Sequence, residues 1–372
     1  MIMGDVVRDL GEVGAGDRAA VGGKAASLGE LIRAGIPVPA GFVVTVEAFE
    51  RAMRTLDPAG EIRREVGRLP AGDAAAIADV TGRVRDRIAA APLPPEMRDQ
   101  IAAAYRNLGA TESAAAEGHA GDRGEVAVAV RSSATGEDGA ETSFAGLQDS
   151  YLWVRRADDL IGRVRACWAS LYNTEAVAYR RRMTIAEPDL AMAVVVQRMV
   201  EPRCAGVMFT RSPTTGDRSV IAIEGCWGLG SALVGGDVTP DSFVVSKVTG
   251  EIVRRSVAVK LRLHRAGPGG EGTAAADVPA AMREQACLGD AEVAALARLG
   301  RRAEEHYGAP QDIEWAITEG AGPGEFAIVL LQSRPETVWA RRAPAPLATP
   351  RPRAVDHVFE QLGRVNVVRP ER

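Results

Sequence analysis

The hydrophobic pattern of the chain changes at Ala191, and this change restricts the folds that it can adopt. Before this point apolar residues recur at helical spacing, as in GGKAASLGELIRAG, where Leu28 and Leu31 share one face. From Ala191 onward short apolar segments are separated by turn residues, which is typical of an antiparallel sheet. The sequence therefore predicts an α+β fold.

The same pattern suggests three regions. We expect an N-terminal lobe over residues 1–190, a C-terminal lobe over 191–340 and a proline-rich linker or tail over 341–372. Two segments rich in small and polar residues, 109–124 and 265–279, are predicted to be loops because they offer little apolar surface to bury. An amphipathic helix is expected from about Asp158 to Arg182, and no internal repeat indicates a solenoid.

Composition argues against several classes of protein. The 45 basic and 49 acidic residues give a net charge of -4, so no overall positive field favours nucleic acid or anionic lipid. The longest apolar stretches are shorter than the roughly 20 residues needed to span a bilayer, and no secretory signal is apparent at the N-terminus. We therefore expect a cytoplasmic protein. Buried thiols are predicted for the four widely spaced cysteines, Cys167, Cys204, Cys226 and Cys287.

Two basic residues in the first half of the chain are suited to holding a polyphosphate. Lys24 follows two glycines at the start of a helix, but Arg18 and Ala25 occupy positions where a P-loop requires Gly and Ser or Thr. Arg131 leaves a strand and enters the turn SSATGED, which can direct several backbone N–H groups at anionic oxygens. A helix cap and a solvated arginine are the structural alternative for these residues.

The last two predicted strands, DIEWAIT and EFAIVLLQSRP, carry a second set of polar residues. Side chains two residues apart on a strand share a face, so Asp312 projects with Glu314, and Gln332 with Arg334. If the strands pair in register as a hairpin, the four side chains converge. Carboxylate and amide oxygens suit Mg²⁺, and an adjacent arginine suits a phosphoryl group in transit. A salt-bridged polar face on a surface hairpin is the alternative.

The histidines offer no nucleophilic or metal cluster. His306 is expected near the end of a helix, where it interacts with the helix dipole, and His119, His264 and His357 are expected in loops or the tail. Hydrolase motifs such as the G-x-S-x-G elbow are absent.

Five motifs, in this order, closely resemble the nucleotide-binding part of phosphoenolpyruvate synthase: GGKAASLGELIRAGIPVPAGFVVT, AVRSSATGEDGAETSFAGLQDSYLWV, EGCWGLGSALVGGDVTPDSFVVSK, PQDIEWAI and LLQSRPETVW. The same part recurs in pyruvate phosphate dikinase, rifampin phosphotransferase and the ATP-binding subunit of phenylphosphate synthase. The resemblance covers about residues 5 to 340. It implies an ATP-grasp fold, in which ATP lies between two lobes.

The resemblance also implies roles for individual residues. Lys24 and Arg131 would contact the phosphates, and the SSATG turn, with Thr135 and Gly136, would cover them. Magnesium would be held by Glu314 and Gln332. The hinge residues Gln197, Met199 and Val200 would lie along the adenine, and Glu224 would lie on the ribose side of the nucleotide. Asp312 and Arg334 would contact the transferring phosphates. Ser231 departs from the pattern, because relatives commonly carry an acid at that position.

The implied chemistry is half of a dikinase reaction. ATP would be cleaved to AMP, and a pyrophosphoryl group would pass to a histidine on a partner protein, because no histidine-domain motif is recognisable in the chain. We therefore expect an ATP-binding subunit or domain of a split phosphotransferase that uses ATP and Mg²⁺ and has a histidine-domain partner. Two alternatives remain: a self-sufficient ATP-grasp kinase or ligase that acts on a small molecule, and a non-catalytic nucleotide-binding protein.

Overall fold

The structure is a computed structural model and describes residues 5–113, 125–135, 149–183, 190–320 and 325–339. The chain divides into two compact units, Met1–Glu336 and Thr337–Arg372. Every element and site described below lies in the first unit. Helices and strands both contribute extensively to this unit, so the fold is mixed α and β, as predicted.

The strands of the described residues fall into two larger sheets and one hairpin. In chain order they are β1 Val7–Asp9, β2 Gly41–Val44, β3 Val128–Ala134, β4 Ser150–Val154, β5 Met192–Arg198, β6 Cys204–Phe209, β7 Val220–Trp227, β8 Asp241–Ser246, β9 Ile252–Ser256, β10 Arg262–Ala266, β11 Thr273–Asp277, β12 Gln311–Glu319 and β13 Phe326–Pro335. The first sheet has the order β1-β2-β5-β3-β4, and the second has the order β13-β12-β6-β7-β8-β9. All their pairs are antiparallel.

The helices are concentrated before β5. They are α1 Arg18–Arg33, α2 Val46–Leu56, α3 Glu61–Gly67, α4 Ala74–Ala90, α5 Pro95–Ser113, α6 Ala157–Ser170, α7 Thr174–Met183, α8 Ser231–Val234 and α9 Asp290–Tyr307. The Thr45 hydroxyl accepts a hydrogen bond from Ala48 N and caps α2. Gly308, with φ 66°, follows the last residue of α9, an ending that glycine accommodates at no steric cost.

The central strand β5 joins the two halves of the sequence. Its alternate residues enter different cores: Val194 and Val196 pack with helices α2 to α7, whereas Val195 packs with α1 and the second sheet. A strand buried on both faces reads as a continuous apolar run, which explains the segment AMAVVV. The C-terminal lobe is predicted from residue 191, whereas β5, which lies at its start, pairs with β2 and β3 in the first sheet.

Three other local predictions need correction. The segment 109–124 begins as helix rather than loop, because α5 continues to Ser113, and 114–124 lies outside the described residues. The helix predicted from Asp158 to Arg182 is two helices, with a break at 171–173 between α6 and α7. The segment 265–279 is not a simple loop, because it completes the β10–β11 hairpin.

Buried positions agree with the predicted role of the cysteines. All four are free thiols in the interior, and burial raises the pKa of each of them. Across the described segments we find no helix with the length and apolar character needed to cross a bilayer.

Candidate functional site

A cavity of about 520 Å³ lies between the first sheet and the β12–β13 hairpin of the second. Most of the residues selected from the sequence line it: Lys24, Arg131, Gln197, Met199, Val200, Asp312, Glu314, Gln332 and Arg334. Residues more than 300 positions apart in the chain therefore surround one space.

Close contact between α1 and β3 positions Lys24. Gly22 has φ 74°, and a Cβ atom at this position would lie 2.0 Å from Ser133 O, so the approach requires glycine. Ser133 Oγ donates to Val21 O at 2.9 Å and accepts from Ala25 N at 3.2 Å. Lys24 is 7% exposed, and its Nζ donates to Ser132 O at 2.7 Å. The ammonium group is thus fixed in the cavity wall beside the end of β3.

Arg131 reaches from the first sheet to the second. One guanidinium nitrogen, Nη2, donates to Glu314 Oε2 at 2.7 Å and to Gln332 Oε1 at 3.0 Å, and Nη1 donates to Leu331 O at 2.8 Å. Carboxylate and amide oxygens from two strands therefore converge on a single cationic atom. The sequence resemblance implied a phosphate contact for Arg131 but gave no indication of this contact across the cavity.

The β12–β13 pair has the register that the sequence analysis required. Asp312 lies opposite Arg334, and Glu314 lies opposite Gln332. The register then shifts, since Trp315 pairs with Leu330 and leaves Leu331 as an extra residue on β13. Bulges of this kind redirect local groups, and here the Leu331 carbonyl is the one that accepts from Arg131. The turn that joins the two strands includes residues 321–324, outside the described residues.

The two acidic side chains experience different electrostatic environments. Burial opposes ionisation of Glu314, but Arg131 beside it, together with Lys24 and Arg334, outweighs burial and holds the pKa of Glu314 below its usual value. For Asp312, burial dominates and raises the pKa to about 6, although Arg334 opposes that shift. The Arg334 Nε lies 3.5 Å from Asp312 Oδ2, and Asp312 Oδ1 has no hydrogen-bond partner among the described residues. Arg334 remains 43% exposed and free to approach a ligand.

The opposite end of the cavity is apolar. Leu152, Met199 and Leu229 pack together there, and each of them also lines the cavity. Met199 N donates to Ala127 O at 2.9 Å, and the buried Gln197 donates from Nε2 to Pro39 O at 3.2 Å, so the backbone just after β5 is fixed. One end of the cavity can therefore bury a flat apolar group, while the other presents three cationic side chains.

The donor set at the polar end fits a hard divalent cation. The Glu314 and Gln332 oxygens both lie within hydrogen-bonding distance of one Arg131 nitrogen, so they can approach a single small cation. Mg²⁺ prefers such oxygen ligands and completes its coordination with water and phosphate oxygens. Within the described segments, no cluster of three or more Asp, Glu, His or Cys side chains suitable for a metal occurs. Any such ion would therefore depend on a bound ligand for its remaining contacts.

Three predicted site residues do not contribute to the described cavity wall. Thr135 directly follows β3, its N and Oγ1 donate to Ala191 O, and it does not line the cavity. Gly136 lies outside the described residues. Glu224 on β7 is not a lining residue. It pairs with Val207, which in turn pairs with Glu314, so the three residues share one face of the sheet. The Cα atoms of Glu224 and Glu314 are two strand spacings, or about 10 Å, apart.

Sequence reasoning missed one polar contact at the edge of this cavity. Ser231 lines the cavity, and its Oγ lies 2.9 Å from His264 Nδ1. His264 was expected in a loop but lies on β10. The pairing joins residues 33 positions apart, and no local pattern in the sequence indicates it.

His306 has the predicted position in the last turn of α9, whereas His119 and His357 lie outside the described residues.

Comparison with a sequence model of a known family gives a match over most of the chain. The family is described as "Pyruvate phosphate dikinase, AMP/ATP-binding domain", and the match covers residues 18–354.

Curated relatives give a consistent result. The chain is 40% identical over 326 residues to a probable phosphoenolpyruvate synthase of Methanothermobacter thermautotrophicus, with 88% of this chain and 45% of the relative covered. It is 41% identical to a phosphoenolpyruvate synthase of Aeropyrum pernix, and the match covers 87% of this chain and 41% of the relative. A rifampicin phosphotransferase of Streptomyces sp. is 42% identical, and the match covers 90% of this chain and 36% of the relative. The chain thus spans less than half the length of each.

Proposed function

Because the chain belongs to the family of pyruvate phosphate dikinase AMP/ATP-binding domains, we propose that it binds ATP in an ATP-grasp arrangement and performs the ATP half-reaction of a phosphotransferase. The two lobes would be residues 1–190 and 191–340, with β5 returning to the sheet of the first. The observation that carries the proposal is the convergence of Lys24 and Arg131 with Asp312, Glu314, Gln332 and Arg334 on one cavity.

The polarity of the cavity supports one orientation of the nucleotide. Adenine would lie at the apolar end against Met199 and Leu229, beside the backbone of the hinge. The triphosphate would extend towards Lys24, Arg131 and Arg334, whose positive charges offset its negative charge. This orientation uses both ends of the cavity.

Glu314 and Gln332 would hold Mg²⁺, which neutralises phosphate charge and aligns the phosphates for transfer. Glu314 has its pKa lowered by Arg131 and is ionised at neutral pH, as a metal ligand must be. Without nucleotide, Arg131 compensates the charge of that carboxylate. When nucleotide and metal bind, the Arg131 guanidinium would leave Glu314 and contact the phosphates. Arg131 would therefore neutralise Glu314 in the free protein and phosphate charge in the complex.

In the proposed reaction a histidine nitrogen on a partner domain attacks the β-phosphorus of ATP. The new N–P bond forms as the bond between the β-phosphorus and the α–β bridging oxygen breaks, and that oxygen leaves with AMP. Lys24 and Arg334 would stabilise the charge that develops on the phosphoryl oxygens, and Asp312 would orient Arg334 through their contact. The acceptor histidine and the final phosphate acceptor lie on other domains or proteins.

The test is product analysis with Mg·ATP. The chain is incubated with labelled ATP, alone and with a histidine-bearing domain of a phosphoenolpyruvate synthase-like protein. We expect AMP in stoichiometric or catalytic amounts only when the histidine-bearing domain is present, and none when its histidine is replaced. ADP as the product, or AMP at full rate from the chain alone, would contradict the proposal.

A further inference from the structure

The loop that follows β7 is held against β10 by backbone contacts. Leu229 N donates to His264 O at 2.9 Å, and Gly228 forms an isolated parallel bridge with His264. Gly228 has φ 71°, and a Cβ atom there would lie 2.3 Å from His264 O. This close approach fixes the loop and places Ser231, two residues after Leu229, at a defined position in the cavity wall.

Three side chains continue this contact as a series, in which the first pair is hydrogen-bonded and the second is a looser ion-pair contact. Ser231 Oγ lies 2.9 Å from His264 Nδ1, and His264 Nε2 lies 3.4 Å from Asp237 Oδ2. The His264 side chain is 17% exposed, whereas Asp237 is largely exposed. His264 lines a second cavity of about 630 Å³, and Ser231 lines both that cavity and the one between the two sheets.

The series determines the direction in which the Ser231 hydroxyl points. A carboxylate can only accept, so in the neutral imidazole Asp237 favours the tautomer that carries its hydrogen on Nε2. Nδ1 then has a free lone pair and accepts the Ser231 hydroxyl hydrogen. The Ser231 oxygen consequently keeps its own lone pairs for another donor. Ser231 therefore acts as a hydrogen-bond acceptor towards a ligand in the first cavity.

The position of Ser231 identifies the kind of donor that it would meet. It follows Leu229, a residue of the apolar end, by two positions, and it lines the same cavity as the cationic side chains. In a nucleotide with its base at the apolar end and its phosphates at the cationic end, the sugar is the polar group next to the base and therefore the one that Ser231 would meet. The hydroxyl groups of ribose are donors, and a deoxyribose lacks one of them.

We propose that Ser231, oriented by His264 and Asp237, accepts a hydrogen bond from a ribose hydroxyl and makes the site selective for ribonucleotides. This inference rests on the proposed function, since it needs ATP in the cavity. Ser231 is a specificity-determining residue in this account, and His264 and Asp237 are positioning residues. A purely structural role in fixing the loop would instead affect ribonucleotides and deoxyribonucleotides equally.

The experiment measures the dissociation constants of ATP, 2′-deoxy-ATP and 3′-deoxy-ATP by calorimetry in the presence of Mg²⁺. The wild-type chain is compared with Ser231→Ala, His264→Phe and His264→Asn. The matched control is Ser256→Ala, because Ser256 is exposed on β9 and lines neither cavity. A chemical denaturation curve for each variant verifies that it folds.

We expect the wild-type and Ser256→Ala proteins to bind ATP about 3- to 10-fold more tightly than one of the two deoxynucleotides, the range expected for one neutral hydrogen bond. Ser231→Ala should bring this ratio close to one. His264→Phe should reduce it, whereas His264→Asn should preserve it, because the amide oxygen can accept near the position of Nδ1.

The outcomes separate the inference from the proposed function. A wild-type chain that binds none of the three nucleotides overturns both. ATP binding with no preference over either deoxynucleotide overturns the inference alone, as does a preference that survives in Ser231→Ala. If His264→Asn lowers the preference for ATP over the deoxynucleotide as much as His264→Phe does, the orienting role of His264 is overturned.

Discussion

The charge on individual side chains determines what the cavity can bind. Glu314 is stabilised as a carboxylate by Arg131, so its negative charge is compensated before any ligand arrives. Arg334 forms only a loose contact with Asp312 and stays partly exposed. Arg334 can therefore change partner at little cost.

Replacing Arg334 separates catalysis from folding. We expect Arg334→Ala to lower the rate of AMP formation by about 100- to 1000-fold, the cost of removing a group that stabilises transition-state charge. The midpoint of thermal unfolding should change by only about 2 °C, because the 3.5 Å contact with Asp312 contributes little to stability. Arg54→Ala is the control, since Arg54 forms an exposed ion pair with Glu47 on α2. An equal loss of rate in the control, or unfolding of Arg334→Ala, contradicts the assignment.

Replacing Glu314 tests its role as a metal ligand. Glu314→Gln removes the charge but keeps the shape of the side chain, so the Mn²⁺ or Mg²⁺ concentration that half-saturates nucleotide binding should rise at least about 10-fold. Metal-free nucleotide affinity should change much less. Glu319→Gln, at the exposed end of the same strand, should behave as wild type. Equal losses with and without metal would show that Glu314 is not a ligand.

At the scale of elements, the sequence predicted the change from helices to strands and the last hairpin, but not how strands are shared between sheets. The β12–β13 pair was predictable, because two alternating strands close in sequence can form a hairpin. The place of β5 was not, since an apolar run buried on both faces carries no information about its neighbours. The β10–β11 hairpin was missed because 265–279 is rich in Gly and Ala, residues typical of loops.

Helix α1 is interrupted at Gly22, where the backbone leaves the helical conformation. Gly22→Ala should destabilise the fold by at least about 2 kcal/mol, because it combines φ 74° with a Cβ atom 2.0 Å from Ser133 O. It should also weaken ATP binding, since the same contact positions Lys24. Urea unfolding and calorimetry measure the two effects. The control is Gly82→Ala in the middle of α4, where a Cβ atom meets nothing within 4 Å and a gain of about 0.5–1 kcal/mol is expected. Similar effects of both substitutions would contradict the account.

The contact between α1 and α9 is expected to depend on pH. Glu30 accepts from Ala15 N at 2.8 Å and lies 2.9 Å from His306 Nε2, and these contacts lower its pKa despite partial burial. A carboxyl group with a lowered pKa in the folded state stabilises the protein above its unfolded pKa of about 4.5, and the contribution is lost as the pH falls through the folded pKa.

Glu30→Gln should therefore lower the free energy of unfolding by about 1 kcal/mol or more at pH 7. The difference from wild type should shrink as the pH falls below 4.5. Urea denaturation at several pH values measures it. Glu305→Gln, on an exposed residue of α9, should have an effect under about 0.5 kcal/mol at every pH. A difference for Glu30→Gln that stays constant across the pH range would refute the electrostatic explanation.

At the scale of the whole molecule, one core links the two sheets. Residues of α1, of the first sheet and of the second sheet pack in the same cluster, and the cavity opens beside it. The sequence indicated the individual site residues through motifs, and strand periodicity indicated which of them share a face. The contacts of Arg131 with Glu314 and of Ser231 with His264 were not predictable, because each depends on how distant elements pack.

The central claim is that a metal-bound triphosphate lies between Lys24 and Arg131 on one side and the β12–β13 hairpin on the other. A crystal structure with Mn²⁺ and a non-hydrolysable ATP analogue tests it directly, because anomalous scattering locates the metal. We predict a Mn²⁺ peak bound by Glu314 and Gln332, phosphates at Lys24 and Arg334, and Arg131 moved from Glu314 to the phosphates. A metal bound elsewhere, or phosphates distant from these side chains, would contradict the account.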